Sequence, residues 1–361
     1  MTAYSQDTDH MRARDAGVEP GILTPGQWNA ITDVKGVQVG HHTLISGDDI
    51  RTGVTVILPH ENDAFQSRVP AAVYVGNGFG KALGFTQVEE LGELETPIGL
   101  TNTLSIHTVA NGITDYILNL PGNENVRSVN PVVGETNDGW LNNIRKRAVL
   151  PEHVSEAIEN AEPGPVPEGN VGAGTGTRAL GFKGGIGTSS RTLPEEMGGY
   201  TVGILVQSNF GGILTVDGKK IGEELGNHYM SQNVPYDVDG SVMIIVATDA
   251  PVTSRNLERL AKRAFLGVAR VGGFASNGSG DYVIAFSTHP DVRRDINEKE
   301  ITRSIRELTN SAMTPLFLAA VEATEEAILN SLFMAETMKG VNGRVQEALP
   351  LEAVLKNKEQ N

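Results

Sequence analysis

An α/β fold, with mixed sheets covered by helices, is what this sequence predicts, and three observations predict it. First, three apolar, β-branched runs read as buried strands: "YTVGILVQSNFG" (200–211), "SVMIIVATDA" (241–250) and "DYVIAFST" (281–288). Second, two helices are marked by spacing and end signals. In "SRNLERLAKRAFLGVARVGG", Leu257, Leu260/Ala261, Ala264/Phe265 and Val268 form one stripe, which Gly272-Gly273 ends. In "TPLFLAAVEATEEAILNSLFMAETMKG", Thr314 is expected as N-cap, Pro315 as the first helical residue and Gly340 as the stop. Its stripe is Phe317, Ala320/Val321, Ile328, Leu332 and Ala335. Third, several strands are joined by short turns, which favours mixed sheets over a purely parallel, doubly wound one.

The remaining elements follow in order. Residues 29–59 read as two strands, "NAITDVKGVQVGHHTLI" and "GVTVILP", joined by a turn, and "AAVYVGNGFG" (71–80) as a third. "TNTLSIHTVANGITDYILNL" (101–120) has helical spacing and predicts a partly buried helix. "NPVVGETNDGWLNNIRKR" (130–147) is expected to pass from a short strand to a helix, with "RKR" on a solvated face, and 152–161 predicts a short polar helix. Pro163, Pro165 and Pro167 mark a loop. The glycine-rich run 172–187 follows no strand and contains no G-x-x-x-x-G-K-[ST] pattern, so it reads as a turn and strand packed on other backbone rather than a phosphate cradle.

Composition removes whole classes of function. With 361 residues, 39% apolar and 20% charged, the chain can bury a sizeable core in one large domain or two ordinary ones. A net charge of −15 disfavours nucleic acid as a partner. The absence of cysteine excludes disulfides, thiolate nucleophiles and cysteine-bound metal. The polar N-terminus has no apolar leader and no run of about 18 apolar residues exists, so the expected location is the cytoplasm, away from membranes. Eight histidines include no H-x-x-x-H or H-E-x-x-H pattern, and G-x-S-x-G is missing, so neither a metal site nor a Ser-His-Asp triad is expected.

What remains is hydroxyl chemistry. An α-amino group titrates at about 7.7–8.0, near operating pH, so a serine at a chain terminus carries its own general base. Gly240-Ser241, where an acidic turn meets the 241–250 strand, could supply one if the bond between them is cut by attack of the Ser241 hydroxyl on the Gly240 carbonyl. Taken alone, a Gly-Ser pair before a strand is an ordinary turn. "ASNGSGDYVIAF" places Ser279 and Asp281 at the mouth of a strand, beside Ser241 if the two strands are neighbours. The bland reading there is an Asx turn. Asn209 ends a buried strand, where its amide is either a turn residue or an oxyanion donor.

Together these segments resemble the DmpA-type family, which holds the L-aminopeptidase/D-amidase-esterases and the β-peptidyl aminopeptidases. The resemblance is carried by "LVQSNFGG", "DGSVMIIVATDAP" and "NGSGDYVIAFST". It extends through "RARDAG", "PGQWNAITDVKGVQVGHHTLI", "GLTNTLSIHTVANGI" and "NPVVGETNDGWLN", from about Arg12 to about Gly340. It implies a four-layer α/β/β/α sandwich like that of the N-terminal-nucleophile hydrolases but differently connected. One catalytic domain, 1–361, would cut itself into an α chain 1–240 and a β chain 241–361, with Ser241 as nucleophile and no cofactor or metal. By the same resemblance Asn209 helps form the oxyanion hole, Ser279 contacts the nucleophile, Glu135 receives the substrate's free amine and Trp140 walls that pocket. Asp281 stands where the β-peptidyl branch has Glu, which tilts the expectation towards the L-aminopeptidase/D-amidase type. Substrates would be short peptides, amides or esters with a free amine, and the αβ units would assemble as a homo-oligomer, a tetramer being expected. Two rivals stay open at this point: an acyltransferase like the ornithine acetyltransferases, which use Thr where Ser241 stands, and an uncut binding or scaffold protein.

Overall fold

The computed structural model describes residues 10–231 and 240–356. The polar N-terminal residues 1–9 and the acidic approach 236–239 to Gly240 lie outside the described residues. In chain order the principal elements are β1 (Gln38–Ser46), β2 (Ile50–Leu58), β3 (Ser67–Gly78), β4 (Ile98–Asn102), α1 (Ile106–Asn119), β5 (Val132–Thr136) and α2 (Pro151–Glu159). They continue with β6 (Ile186–Thr192), β7 (Thr201–Asn209), β8 (Ser241–Thr248), α3 (Ser254–Ala264), β9 (Gly280–Ser287) and α4 (Met313–Phe333).

Two sheets form. One runs β1-β2-β4-β5 with a two-residue edge strand, Ala82–Leu83. The other runs β6-β7-β8-β9-β3, with short pieces pairing the far end of β3. In the second sheet β8 and β9 are parallel and the remaining main pairs antiparallel, the mixed sheet the sequence predicts. The unbroken apolar run of β8 is explained by burial on both faces. Val242, Ile244 and Val246 pack with Leu257 and Leu260 of α3 and Ile328 of α4. Met243, Ile245 and Ala247 meet Ile57, Leu100 and Val132 of the other sheet. A third cluster joins Val54, Val56 and Val133 to Val109 and Ile113 of α1 and Val154 of α2. The layers are therefore α3/α4, sheet, sheet, α1/α2: the α/β/β/α sandwich. Among the described residues no helix is long and apolar enough to cross a membrane.

Four expectations are corrected. Residues 29–37 are not strand: the Asp33 carboxylate accepts the N–H groups of Trp28 and Ala30 and closes a 3-10 turn, Ile31–Asp33. The helix expected to follow β5 within 130–147 does not form. The Asp138 carbonyl accepts from Leu141 and Asn142, Asn143 is tied to Asp49, and only a 3-10 turn, Ile144–Lys146, remains. In α4 the cap is Ala312, and Thr314 and Pro315 lie inside the first turn. That helix ends at Phe333, well before Gly340, because the Asn170 side chain captures both the N–H and the C=O of Glu336. The predicted apolar stripe of α4 also widens into burial on all sides from Glu322 to Phe333. Its acids are matched from within: Arg191, fully buried, reaches Glu322 at 3.3 Å and Glu326 at 2.7 Å.

Candidate active site

Sheet register collects the hydroxyl, amide and carboxylate singled out in the sequence. Ser241 opens β8. Asn209, the last residue of β7, lies opposite it in antiparallel pairing, and Gly280, the first of β9, lies opposite it in parallel pairing. All are buried. The Ser241 hydroxyl donates to the carbonyl oxygen of Gly240, the peptide it follows in the chain. The Gly280 N–H faces both atoms, 3.2 Å from Gly240 O and 3.4 Å from Ser241 Oγ. Gly240 must be glycine for lack of room: a Cβ there would stand 2.2 Å from Asn209 O and 2.7 Å from Phe210 Cα.

Asn209 is held at both ends of its amide, Oδ1 accepting from Arg178 N–H and Nδ2 donating to Asn137 O, each at 3.1 Å. One amide N–H is left for a further acceptor. The Ser279 hydroxyl does not reach Ser241. It donates to Asp281 Oδ1 at 2.6 Å, and the Gly280 N–H takes the place beside the serine. Burial lifts the Asp281 pKa to about 6, against the opposing pull of the Ser279 hydroxyl and the Val242 N–H.

Glu135 arrives from the facing sheet, next to Gly134, where a Cβ would stand 2.4 Å from Met243 Sδ two residues past Ser241. Its pKa is raised by burial, against donors on each oxygen: Lys81 N–H to Oε1 at 2.8 Å and the Thr103 hydroxyl to Oε2. Residues 77–81 bridge the two halves of the site. Asn77 Nδ2 holds Ser276 O at 2.8 Å, Phe79 N–H holds Ser279 O at 3.3 Å, and Lys81 holds Glu135. Trp140 follows on the loop that carries Asn137, just past Glu135 and the end of β5. The guanidinium carbons of Arg178 and Arg344 lie over its ring, 4.4 Å and 4.5 Å from the centroid.

Comparison with known proteins now decides the family: the sequence matches Peptidase family S58 over residues 29–346. The chain belongs to that family. It is 43% identical to the β-peptidyl aminopeptidase BapA of Sphingosinicella microcystinivorans, across 99% of this chain and 94% of that protein. A Burkholderia sp. β-aminopeptidase structure superposes with a TM-score of 0.89 at 41% identity, covering 97% of this chain and 99% of that one. The L-aminopeptidase D-Ala-esterase/amidase of Ochrobactrum anthropi superposes with a TM-score of 0.88 at 34% identity, covering 96% and 98%. That structure is described as a prototype for the serine aminopeptidases and a new variant of the Ntn hydrolase fold. The fold and the aminopeptidase class expected from the sequence both hold: this S58 chain is an aminopeptidase.

Several groups around the S58 site carry no sequence signal. The N–H donors of Gly280 and Lys81 are backbone atoms, and Thr103 sits in an undistinguished stretch. Paired with Arg178 lies Lys183, fully buried, with Nζ donating to Gly174 O at 3.0 Å and Gly184 O at 2.6 Å and its pKa lowered by burial to about 7. These bonds pin the glycine-rich run, whose glycines face backbone, as the sequence suggests: a Cβ on Gly174 would lie 2.4 Å from Ile186 N. His41 and His42 stand on opposite faces of β1, His41 on Thr55 and His42 stacked on His153. Among the described residues no group of three or more His, Cys, Asp or Glu is placed to hold a metal ion.

Proposed function

We propose that this S58 aminopeptidase cuts its own chain between Gly240 and Ser241 and then uses Ser241 as nucleophile to release N-terminal residues from short peptides, amides or esters. The observation that carries the reading is the Ser241 hydroxyl lying against the carbonyl of its own preceding peptide, with the Gly280 N–H directed at that same oxygen. Attack of Oγ on the Gly240 carbonyl carbon would place the developing oxyanion on an oxygen that already has a donor. Transfer of the acyl group from nitrogen to Oγ gives an ester and a free α-amine, and water releases residues 1–240 from residues 241–361.

In the processed enzyme the new α-amine removes the Oγ proton as the hydroxyl attacks the substrate carbonyl. The unengaged amide N–H of Asn209 and the Gly280 N–H hold the oxyanion, each contributing about 3–4 kcal/mol when well placed. The substrate ammonium pairs with Glu135. Trp140 walls that pocket. Asp281, holding the Ser279 hydroxyl, supplies a second carboxylate beside the serine. The leaving amine takes the proton from the α-ammonium, and water then hydrolyses the acyl-enzyme. In this reading the protein works as a homo-oligomer of αβ units, a tetramer being proposed from family resemblance.

A second reading concerns substrate type. Asp281, shorter than the Glu of the β-peptidyl branch, favours α-amino substrates, whereas β-peptidyl names go with relatives at 43% and 41% identity. We therefore include β-peptides in the proposed range. Mass spectrometry of the purified protein tests the reading: two fragments meeting at Gly240/Ser241 are expected, and Ser241→Ala is expected to stay whole and inactive. An intact wild-type chain would sink self-processing and favour an uncut binding protein. Product that appears only when an amine acceptor is added would favour the acyltransferase.

A further inference from the structure

Loops at the end of the sandwich far from Ser241 enclose a cleft of about 520 Å³, within the roughly 300–1,000 Å³ of small-ligand sites. Both sheets contribute to it. His60 and Glu61 follow β2, Tyr200 precedes β7, Asp249 follows β8, and His289 and Arg293 follow β9. Asp249 stands eight residues past Ser241 along β8, about 26 Å away. Two opposite charges share this cleft without pairing. Asp249 is anchored through Oδ1, which accepts from Thr201 N–H at 2.7 Å. Arg293 is anchored through Nε, which donates to Thr288 O at 3.0 Å. Thr288 N–H in turn bonds Thr248 O at 2.8 Å, so both anchors lie at the ends of neighbouring strands. Asp249 Oδ2 and both terminal nitrogens of Arg293 have no partner on any other described residue. Glu61 and His60 feel the Arg293 charge, and His289 feels that of Asp249, but none of the three forms an ion pair with them. Burial opposes both charges, raising the Asp249 pKa and lowering that of Arg293. Charges held in this way gain from a ligand that brings a countercharge to each.

We infer that this cleft binds a free α-amino acid, its ammonium on Asp249 Oδ2, its carboxylate on the Arg293 guanidinium fork and its side chain against the ring of Tyr200. A ligand with one charge would satisfy one wall and leave the other bare, whereas a zwitterion satisfies both. Neighbouring strands lie about 4.8 Å apart, which suits an ammonium and a carboxylate carried on one carbon. The guanidinium offers two parallel N–H bonds to the carboxylate. The Tyr200 ring is backed by Gly198, where a Cβ would stand 2.5 Å from it, so the apolar wall is held in place. Free amino acids are what an aminopeptidase releases, so the ligand is the enzyme's own product, held well away from the site proposed at Ser241.

Calorimetric titration of Glu135→Gln, in which the amine receptor proposed near Ser241 carries no charge, tests it. L-Leucine should bind. Leucinamide, which lacks the carboxylate, and N-acetylleucine, which lacks the ammonium, should each bind at least about tenfold more weakly. Adding Arg293→Gln should bring leucine down to the level of leucinamide, and Arg293→Lys should recover part of the loss. Adding Asp249→Asn, which keeps an acceptor for Thr201 N–H, should bring leucine down to the level of N-acetylleucine. No binding of leucine to Glu135→Gln, equal binding of the three ligands, or leucine binding unchanged by both cleft substitutions overturns the inference. With Glu135 restored, Arg293→Gln should hydrolyse an amino-acid p-nitroanilide with the wild-type kcat/KM. A large loss there would make Arg293 a structural residue and overturn the inference too. Failure of the Ser241 chemistry would show instead as no turnover by the wild type with leucine binding intact.

Discussion

Thr103→Val probes whether Glu135 receives the substrate amine as a carboxylate. Glu135 is buried, and burial alone drives its pKa upward. The Thr103 hydroxyl on Oε2 and the Lys81 N–H on Oε1 oppose that rise. Valine keeps the shape and removes the hydroxyl. A hydrogen bond to a charged group is worth about 1.5–3 kcal/mol, equivalent to roughly one to two pKa units. The Glu135 pKa should therefore climb by that amount, and the acid limb of kcat/KM against pH should move to higher pH by the same one to two units. On the limb the loss should be about 10–100-fold and should fall on KM, because the hydroxyl touches no reacting atom. Thr103→Ser retains the donor and should track the wild type. The assay is a pH series of initial rates with an amino-acid p-nitroanilide. A limb that stays in place in Thr103→Val, or moves equally in Thr103→Ser, refutes Glu135 as the amine receptor.

Gly240→Ala should block the proposed processing, since the added methyl meets Asn209 O at 2.2 Å, and a denaturing gel should then show one band where the wild type is expected to give two. Asp281 has its pKa raised to about 6 by burial, so on folding it contributes stability that is complete below its unfolded value and lost as pH rises through 6. Asp281→Asn lacks the buried charge and should be more stable than wild type at pH 8 by about 1–2 kcal/mol in urea unfolding, after the weakened Ser279 bond is subtracted, while losing any rate transition near pH 6. Lys183 runs the other way. Lowered by burial to about 7, it binds fewer protons folded than unfolded between pH 7 and its ordinary 10.5, so stability rises across that window. Lys183→Met should flatten the rise, by about 3 kcal/mol between pH 7 and 9.5 in urea unfolding.

What the sequence made legible is what repeats along one segment. β7, β8 and β9 were readable because both faces of each are buried, which writes an apolar run, and the residues at their ends were named on that basis. Their assembly into one site was not readable from the segments. It depends on β8 pairing in parallel with β9 and antiparallel with β7, a relation set by packing between distant parts of the chain. α4 was misread for a related reason. Glu322, Glu325 and Glu326 look like a solvated face, yet Arg191 and Arg14, from segments more than a hundred residues away, bring countercharge to Glu322 and Glu326 inside the core. The helix expected after the strand in 130–147 stops after a single turn because both the backbone and the side-chain N–H groups of Asn143 are taken by Asp49 rather than by the preceding turn, in a segment with a glycine and two adjacent asparagines. The same limit governs the chemistry. A hydroxyl or carboxylate can be nominated from its letter, whereas Gly280 acts through a backbone N–H that every residue but proline owns. Only the register that sets this N–H 3.2 Å from the Gly240 carbonyl oxygen marks it as the donor for the proposed self-cleavage.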